Sequence, residues 1–373
     1  MTMRALTVLP GQPGSARLEQ VPEPDLSYGS VLVGTLAVGV CGTDVEIVRG
    51  GYGWAPPGKD RLILGHESLG RVLDAPSGSG VEPGDLVVGI VRRPDPEPCP
   101  SCAVGEWDMC RNGRYTERGI KELDGYASEH FRIEPEYVVK VDPELERVGV
   151  LLEPTSIVAK AWELIDRIGT RPGWRPRRAL ITGAGPIGLL AALLAAQRDL
   201  DVHVFDIAKE GPKPELVADL GATYHTGSLE EAMEKDADVV VEATGVAQLV
   251  VDVIRHNAPS GIVCLTGVPS EGPTLEIYAA NTTTRFVLEN RVVFGTVNAN
   301  RRHYRAAAEA LAQADPGWLE RIITRRVPPE QWSDALERRP DDVKTVIDFS
   351  LSSAKSLRMD DRDTRATTPT DSV

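Results

Sequence analysis

The spacing of hydrophobic and polar residues changes about halfway along the chain. Up to roughly residue 155, short apolar stretches such as 30–40, 69–75 and 85–91 are separated by turns rich in glycine and proline, and no long helical period occurs. Short apolar segments bounded by turns are typical of β-strands. The first part of the chain is therefore predicted to be β-rich.

Beyond about residue 160, apolar strand segments alternate with helical segments. The predicted strands are 178–185, 201–207, 237–245, 261–269 and 291–298, and the predicted helices are 186–198, 214–222, 247–257 and 303–314. Strands that alternate with helices form βαβ units around a parallel sheet. The second part of the chain is therefore predicted to be an α/β domain.

Composition and charge limit the possible functions. The 373 residues suffice for two domains, and the net charge of −14 argues against nucleic-acid binding, which needs a concentrated basic surface. No apolar run is long enough to cross a bilayer, and the N-terminus lacks the apolar core of a secretory signal. Five cysteines suit a reducing compartment better than a disulfide framework. We expect a soluble cytoplasmic protein that binds neither nucleic acid nor membranes.

The sequence GAGPIG at 183–188 follows an apolar strand and begins a helix, which is the arrangement of a dinucleotide-binding loop. Gly183 would permit the tight turn, Gly185 the close approach of a pyrophosphate, and Gly188 the packing of the helix on the strand. The free N–H groups of the helix N-terminus would face the phosphates. A glycine-rich turn without a ligand is the simpler alternative, and the βαβ context favours the cofactor site.

Asp206 ends the second predicted strand, 18 residues after Gly188. A carboxylate at this position can accept hydrogen bonds from the adenosine ribose hydroxyls, and it repels a 2′-phosphate. Ile207 and Ala208 follow in place of the arginines that would hold such a phosphate, and Lys209 is the only nearby cation in the sequence. The sequence therefore favours NAD over NADP.

Three segments supply residue types that bind zinc. Cys41 lies in GVCGTD, His66 and Glu67 lie in GHESLG, and Glu153 lies in LLEPTS. Each residue by itself has a simpler explanation, as core filling, an ion pair or a helix start. Together, cysteine, histidine and carboxylate suit a zinc ion with one open coordination position. Such an ion lowers the pKa of a bound hydroxyl, while the second domain positions the nicotinamide that accepts hydride.

The order and spacing of these motifs are similar to those of a known superfamily. C-G-T-D at 41–44, G-H-E-x-x-G at 65–70 and G-x-G-P-I-G at 183–188 resemble the zinc-dependent medium-chain alcohol dehydrogenases over about residues 1–350. The resemblance implies an α/β protein with a GroES-like β-rich catalytic domain and a Rossmann doubly wound parallel-sheet cofactor domain. It also implies a homodimer or homotetramer.

Further details resemble the glucose 1-dehydrogenase branch of this superfamily, known mainly from archaea. These details are VRR at 91–93, ERGI and DGY within 117–126, the Glu-Pro pair at 153–154 and GTVN at 295–298. The resemblance implies oxidation of an aldose at its anomeric carbon, with hydride transfer to NAD(P) and formation of a lactone. The small-molecule substrate would then be a sugar.

The resemblance also implies the roles of the zinc-site residues. Cys41, His66 and Glu153 would bind the catalytic zinc together with water or substrate. Glu67 would lie beside the metal, directly or through water. Thr43 would hydrogen-bond the reacting hydroxyl and relay its proton towards solvent.

Substrate and cofactor positions follow from the same resemblance. Glu117 and Asn298 match positions that bind sugar hydroxyls, whereas two other sugar-contacting positions carry the apolar residues Ile157 and Leu288. These apolar residues leave the identity of the sugar open. The expected cofactor-binding residues are Gly183, Gly185, Pro186, Ile187, Gly188, Asp206, Thr244, Gly267, Val268 and Asn298.

The catalytic domain is predicted to be discontinuous. Residues 1–158 would be completed by residues 300–350, and the cofactor domain would occupy residues 159–299 between them. The polar tail at 351–373 lacks periodicity and is predicted to be disordered.

A second metal site is predicted in a group of closely spaced cysteines, Cys99, Cys102 and Cys110. In the superfamily, a structural zinc is held with the spacing C-x2-C-x2-C-x7-C, and these cysteines match its last three ligands. Pro96 occupies the first position, so Asp95 or Glu97 would have to supply the fourth ligand. The alternative is a group of three free thiols that has lost its metal.

Three other functions compete with sugar oxidation. The same enzyme could act on a polyol, a cyclitol or another secondary alcohol, which the apolar Ile157 and Leu288 favour. A zinc-independent quinone or enoyl reductase of the superfamily would lack the Cys-His-Glu ligand set. A non-catalytic NAD-binding sensor would have no need of a Lewis acid.

Overall fold

The computed structural model describes residues 1–233, 236–268 and 279–352. The strands within these ranges are β1 (Thr2–Val8), β2 (Arg17–Pro22), β3 (Val31–Val40), β4 (Leu62–Ile63), β5 (Glu67–Asp74), β6 (Leu86–Gly89), β7 (Arg92–Arg93), β8 (Thr116–Arg118), β9 (Glu122–Leu123), β10 (His130–Ile133), β11 (Val138–Lys140), β12 (Arg178–Thr182), β13 (Asp201–Phe205), β14 (Thr223–His225), β15 (Val239–Glu242), β16 (Ile262–Leu265), β17 (Val292–Gly295), β18 (Arg325–Val327) and β19 (Thr345–Asp348).

The α-helices within these ranges are α1 (Gly42–Val48), α2 (Pro100–Ala103), α3 (Leu152–Ile168), α4 (Pro186–Ala196), α5 (Pro212–Asp219), α6 (Leu229–Ala232), α7 (Ala247–His256), α8 (Ala279–Leu288), α9 (Arg301–Ala312), α10 (Pro316–Ile322) and α11 (Trp332–Leu336). Most of these helices lie beyond residue 150, where the sequence predicts alternation with strands.

The first part of the chain is built on a seven-stranded sheet. Its strand order is β11-β6-β5-β3-β19-β18, and β10 also pairs with β3. Along most of β3, inward residues such as Val31 and Val33 are buried and alternate with partly exposed ones, as expected for a strand with one face on a core. Strands β18 and β19 come from the end of the described chain, and Val346 pairs with Gly39. The chain therefore returns to its first sheet after forming its second.

The second part of the chain is built on a six-stranded sheet with the order β14-β13-β12-β15-β16-β17. Neighbouring strands are parallel throughout. The three central residues of β12, Ala179, Leu180 and Ile181, are fully buried, as is typical of a parallel strand covered on both faces. The predicted α/β architecture is confirmed, although each predicted strand extends several residues beyond the observed one into a loop.

The unpredicted elements of the second part include strand β14 and helix α8, which were missed for different reasons. Strand β14 is only three residues long and lies at the sheet edge, so it carries little periodicity. Helix α8 has the sequence AANTTTRFVL, and its threonines have low intrinsic helix propensity.

Helix α3 connects the two sheets. Pro154 lies in its first turn. The N–H groups of a first turn have no partner within the helix, so the N–H that proline lacks is not needed there. The helix is buried over most of its length, and one hydrophobic core runs from Leu69 in the first sheet through Trp162 of α3 to Ile181 in the second sheet. Side chains on α3 are therefore held in place from both parts of the molecule.

The predicted tail lies almost entirely outside the described residues. Leu351 ends a 3₁₀ turn and Ser352 is buried, with its hydroxyl donating to Glu330 at 2.9 Å, whereas residues 353–373 are not described. Within the described ranges, no helix combines the length and apolar character needed to span a membrane.

Candidate active site

Cys41 lies at the end of β3 and is the N-cap residue of α1. Its Sγ accepts a hydrogen bond from the backbone N–H of Thr43 at 3.4 Å, and the carboxylate of Asp44 accepts one from the N–H of Cys41 at 2.9 Å. This reciprocal arrangement is a capping box, in which side chains satisfy the free N–H groups of a helix start. The local sequence C-G-T-D therefore holds the thiol and a carboxylate at one end of a helix.

His66 joins this pair from the segment between β4 and β5. Ligand atoms of Cys41, Asp44 and His66 lie within 4.8 Å of one another, and His66 and Asp44 are buried. Burial opposes a charged imidazole, yet the Asp44 carboxylate and the Cys41 thiol raise the pKa of His66 well above its usual value. Nδ1 of His66 lies 3.5 Å from Oδ1 of Asp44, so the aspartate can orient the ring as second-sphere carboxylates do in metal sites.

Glu67, Glu153 and Lys344 surround this group. Glu67 begins β5 and forms a buried ion pair with Lys344, whose Nζ also donates to the carbonyl oxygen of Val40 at 2.9 Å. Glu153 lies in the first turn of α3 and is buried. Burial, followed by the charge of Glu67, raises the pKa of Glu153 to about 8. The site therefore concentrates acidic side chains that need positive charge.

The residues fit a zinc ion. Oδ1 of Asp44 and Nδ1 of His66 face each other at 3.5 Å and are buried without a hydrogen bond among the described residues, beside a thiol at ligand distance. Thiolate, imidazole and carboxylate are the ligands that zinc prefers in proteins. The structure brings Cys41 and His66 together, and Asp44 is the third member of this compact group. Glu153 lies close enough for the charges of Glu67 and His66 to shift its pKa. Thr43 is half-buried at the start of α1 beside this group.

Glu117 and Asn298, the predicted sugar-binding residues, are brought together although they are far apart in sequence. Nδ2 of Asn298 donates to Oε1 of Glu117 at 2.8 Å, and both side chains are buried. Glu117 lies on β8. The turn after β8 packs closely on the residue before His66, since a β-carbon on Gly119 would lie only 2.4 Å from the carbonyl oxygen of Gly65. The polar pair therefore belongs to the surroundings of the metal-ligand group.

Asn298 has an unusual backbone conformation. Its φ of 62° lies in the left-handed region, which is uncommon for residues other than glycine. Its side-chain oxygen accepts the N–H of Ala299 at 2.9 Å, a local bond that helps asparagine adopt this conformation. Strained residues of this kind cluster at functional sites.

The predicted cofactor residues lie along one edge of the parallel sheet. Gly183 follows β12, Asp206 follows β13, Thr244 follows β15 and Gly267 follows β16. In doubly wound sheets, ligands bind in the crevice outside the carboxyl ends of the strands. Val268 at this edge is exposed, and the half-buried Pro186 and Ile187 begin α4.

The glycine loop has the spaces that a dinucleotide requires. A β-carbon on Gly188 would lie 1.7 Å from the carbonyl oxygen of Gly183, so only glycine allows α4 to pack this closely on the loop. Gly183 has a φ of +91°, which L side chains rarely adopt. A β-carbon on Gly185 would meet nothing within 4 Å, so open space lies where a pyrophosphate would approach. The residues therefore fit a dinucleotide cofactor.

Asp206 is already engaged in this structure. Its Oδ2 accepts the N–H of Ala184 at 2.7 Å, its Oδ1 accepts the N–H of Ala208 at 3.0 Å, and Nζ of Lys213 lies 3.2 Å from Oδ2. Burial raises the pKa of Asp206, but these two N–H groups and Lys213 lower it below its usual value. The carboxylate thus stays charged, with a lysine from α5 beside it that the sequence pattern did not reveal.

Thr244 is held by a buried glutamate. Both its N–H, at 2.8 Å, and its hydroxyl donate to the carboxylate of Glu242, which is fully buried at the end of β15. The N–H of Gly245 donates to the same carboxylate at 3.2 Å. Glu242 therefore shapes the loop that follows β15, a role that was not predicted.

The cysteine lobe, residues 95–114, brings its three thiols together. The sulfur atoms of Cys99, Cys102 and Cys110 lie within 4.8 Å of one another. The backbone N–H groups of Arg111 and Cys102 donate to Sγ of Cys99, at 3.4 and 3.5 Å, and lower the pKa of this thiol to about 6. A thiolate held by N–H donors beside two further thiols suits zinc.

The two carboxylates considered for the fourth position differ in their surroundings. Glu97 is exposed and forms an ion pair with Arg114 at 2.8 Å. Asp95 is buried, and its Oδ1 accepts the N–H of Glu97 at 2.8 Å. Neither belongs to the compact group formed by the three thiols.

Several polar residues near the site were not assigned a role from sequence. Two of these residues, Asp44 and Arg92, lie within the motifs C-G-T-D and VRR, on which the resemblance rests. The remaining residues, given at the end of this paragraph, lie in no motif with an assigned role. Among the apolar residues at expected sugar positions, Ile157 is partly buried against the core, whereas Leu288 is 75% exposed at the end of α8. The unassigned residues are Asp44, Arg92, Asp108, Lys160, Lys213, Glu242 and Lys344.

Comparison with known proteins supports the assigned fold. Residues 27–143 match the alcohol dehydrogenase GroES-like domain, and residues 146–349 match the glucose dehydrogenase C-terminus. Glucose 1-dehydrogenase of Methanocella arvoryzae is 40% identical over 359 residues, 93% of this chain and 99% of that protein. The enzyme of the same name from Thermoproteus tenax is 42% identical over 354 residues, 92% and 99% of the two chains.

A solved structure is also similar. Haloferax mediterranei glucose dehydrogenase in complex with NADP, Zn and gluconolactone superposes with a TM-score of 0.84 at 32% identity, covering 93% of this chain and 99% of that chain. Similarity over nearly the full length, in both sequence and structure, shows the family. The chain belongs to the glucose 1-dehydrogenase branch of the zinc-dependent medium-chain alcohol dehydrogenase superfamily.

Proposed function

We propose that this protein oxidises an aldose at its anomeric carbon, with hydride transfer to NAD(P) and release of an aldonolactone. The observation that carries this proposal is the buried Glu117–Asn298 pair, because the turn after the strand of Glu117 packs on Gly65, the residue before His66. A carboxylate and an amide held together at a substrate site favour a substrate with several hydroxyl groups over one with a single hydroxyl. A simple alcohol offers no second hydroxyl to this pair.

The chain's own residues divide the work of the reaction. Zinc held by Cys41, His66 and Glu153 would supply Lewis acidity towards the reacting hydroxyl, and NAD(P) would supply the hydride acceptor. Asp44 orients His66, and the Thr43 hydroxyl takes the proton of the sugar hydroxyl and passes it towards solvent. Glu117 and Asn298 orient the sugar ring.

The domain division and the cofactor roles extend this proposal. We assign residues 1–158 and 300–350 to the catalytic domain and 159–299 to the cofactor domain, because β18 and β19 pair into the first sheet. Helix α3 runs across the boundary at 158. The predicted homodimer or homotetramer stays a prediction.

A substrate panel tests the function. Aldoses, polyols, cyclitols and simple secondary alcohols are each assayed with NAD and NADP by following the reduced nicotinamide. The proposal expects the highest kcat/KM with an aldose and formation of the lactone. Oxidation of a polyol, cyclitol or simple alcohol without oxidation of any aldose would replace the sugar assignment by the alternative that Ile157 and Leu288 favour.

We further propose that NAD is preferred over NADP, because the charged Asp206 carboxylate repels a 2′-phosphate. Substituting Asp206→Asn should raise the ratio of kcat/KM with NADP to that with NAD by at least about tenfold, since removing this charge leaves Lys213 and Lys209 to attract the phosphate. Asp201→Asn, an exposed aspartate on β13, is the control. A wild-type enzyme with tenfold higher kcat/KM for NADP would refute the preference.

The cysteine lobe is proposed to hold a structural zinc. The native protein should contain two zinc ions per subunit, and Cys102→Ser should contain one, with a lower thermal midpoint. Structural zinc contributes directly to folding, so its loss loosens the lobe. Elemental analysis with differential scanning calorimetry measures both quantities. One zinc per native subunit would mean that the lobe carries three free thiols.

A further inference from the structure

A buried aspartate, Asp108, joins the cysteine lobe to two other parts of the molecule. Its Oδ2 forms an ion pair with Nζ of Lys160 on α3 at 2.8 Å. Its Oδ1 accepts a hydrogen bond from Nδ2 of Asn300, just before α9, at 2.9 Å. Its backbone carbonyl accepts one from Arg92 at 3.2 Å. One residue of the lobe thus contacts β7, α3 and the start of α9.

The first connection reaches Glu117. Nε of Arg92 donates to Oε1 of Glu117 at 3.0 Å, and the terminal nitrogen of the same guanidinium lies 2.9 Å from this oxygen. The guanidinium also stacks on Tyr115, 3.7 Å from the ring centroid. Because the guanidinium is planar and held on several sides, it fixes the glutamate in one orientation.

The second connection reaches Asn298. Nζ of Lys160 donates to the carbonyl oxygen of Val297 at 3.0 Å, while Asn300 is bound to Asp108 directly. The chain is therefore anchored on both sides of Asn298, whose left-handed backbone is costly to maintain. Such a conformation persists only where the surrounding structure holds it.

Stability alone does not account for this arrangement. A buried ion pair contributes little net free energy compared with apolar residues of the same size, because both charges lose their hydration. Lys160 and Asp108 are almost completely buried, and they connect to both members of the hydroxyl-binding pair. A role in holding Glu117 and Asn298 in position explains why the charged groups of Asp108 and Lys160 are buried here.

We propose that Asp108 is a positioning residue for the substrate: through Lys160 and Asn300 its carboxylate holds Asn298 against Glu117, so that the two form one preformed hydroxyl-binding pair. This inference rests on the proposed function of that pair. Asp108 does not touch the sugar itself. The cysteine lobe thereby takes part in substrate recognition as well as in folding.

A double-mutant cycle tests the proposal. Asp108→Asn, Glu117→Gln and the double variant are compared with wild type by kcat and KM for D-glucose. Each single variant should lower kcat/KM by at least about tenfold, mainly through KM, and the double variant should lie within about threefold of Glu117→Gln, because residues that act through one pair are not additive. Effects that multiply in the double variant would overturn the proposal.

Deoxy sugars separate positioning from a general structural defect. With 2-deoxy- or 3-deoxy-D-glucose, whichever lacks the hydroxyl that the pair binds, the penalty of Asp108→Asn should shrink to less than about twofold. An equal penalty with glucose and both deoxy sugars would contradict the proposal.

The control variant is Asp124→Asn, another buried aspartate paired with a lysine, Lys59, at 2.7 Å. Among the described residues, it makes no hydrogen bond to Glu117 or Asn298, so it should leave the KM for glucose unchanged. If Asp108→Asn does not fold, as judged by circular dichroism, Lys160→Gln enters the same cycle with the same expected coupling to Glu117.

Failure of the proposed function has a separate outcome. If the wild type oxidises another alcohol and no aldose, the sugar assignment is lost. The same double-mutant cycle on that alcohol then decides the role of Asp108, since coupling to Glu117 supports positioning and multiplicative effects refute it.

Discussion

Cys41→Ser is expected to lower kcat/KM by at least about a thousandfold. Serine cannot replace the anionic thiolate ligand at neutral pH, because its hydroxyl holds its proton far more tightly than a thiol does. The Lewis acid contributes several kcal/mol to the transition state, and each 1.36 kcal/mol corresponds to about a tenfold change in rate. The variant should also lose one zinc per subunit by elemental analysis, whereas its dissociation constant for NAD should stay close to that of wild type.

Cys264→Ala is the matched control for this substitution. Cys264 is fully buried in β16, and burial raises the pKa of its thiol to about 12, so it is an inert core residue. Its replacement should leave the zinc content and kcat/KM near those of wild type. If Cys41→Ser kept both its zinc and its activity, the catalytic metal would have to be held elsewhere.

Lys344→Met is expected to destabilise the metal-free protein by about 3–5 kcal/mol, because it leaves a buried carboxylate without its partner. Lys344 is buried against Glu67, and Asp44 adds further negative charge nearby. Burial lowers the pKa of Lys344, but Glu67 and Cys41 raise it above its usual value, so the lysine is charged. Urea unfolding in the presence of a chelator measures the loss of free energy, and added zinc should restore part of it.

Lys59→Met is the control for Lys344→Met. Lys59 also pairs with an aspartate, Asp124, but its side chain is 47% exposed, so its loss should cost less than about 1 kcal/mol. Lys344→Arg should recover much of the stability, since it keeps the charge. A free energy of unfolding for Lys344→Met within about 1 kcal/mol of wild type would show that Glu67 does not need this partner.

Local features of the sequence predicted much of the cofactor half. The loop at 183–188 depends on contacts within a few residues, such as Gly188 against Gly183, and its glycines are therefore visible in the sequence. The strands of the parallel sheet are short apolar runs, which burial on both faces requires. Strand β14 and helix α8 escaped prediction because their position in the fold outweighs weak local preferences.

The zinc-site residues were predicted from motifs, but their partners were not. Cys41, His66 and Glu153 lie in three recognisable segments, whereas Lys344 follows Val40 by 304 positions and reaches it only because β19 pairs with β3. Asp44 is adjacent to Cys41, yet its position against His66 depends on the approach of a separate segment. No periodicity or spacing in the chain records these contacts.

The sequence by itself determined the two-part architecture, the dinucleotide loop, the cysteine lobe and the segments that carry the predicted metal ligands, because each depends on patterns within a few consecutive residues. Only the tertiary structure decided which charges face one another, including Lys344 beside Glu67, Lys213 beside Asp206, and Asp108 between Arg92 and Lys160. These pairs are set by the packing of distant elements around helix α3 and the two sheets. Burial then makes each pairing necessary, since a charge removed from water requires a partner.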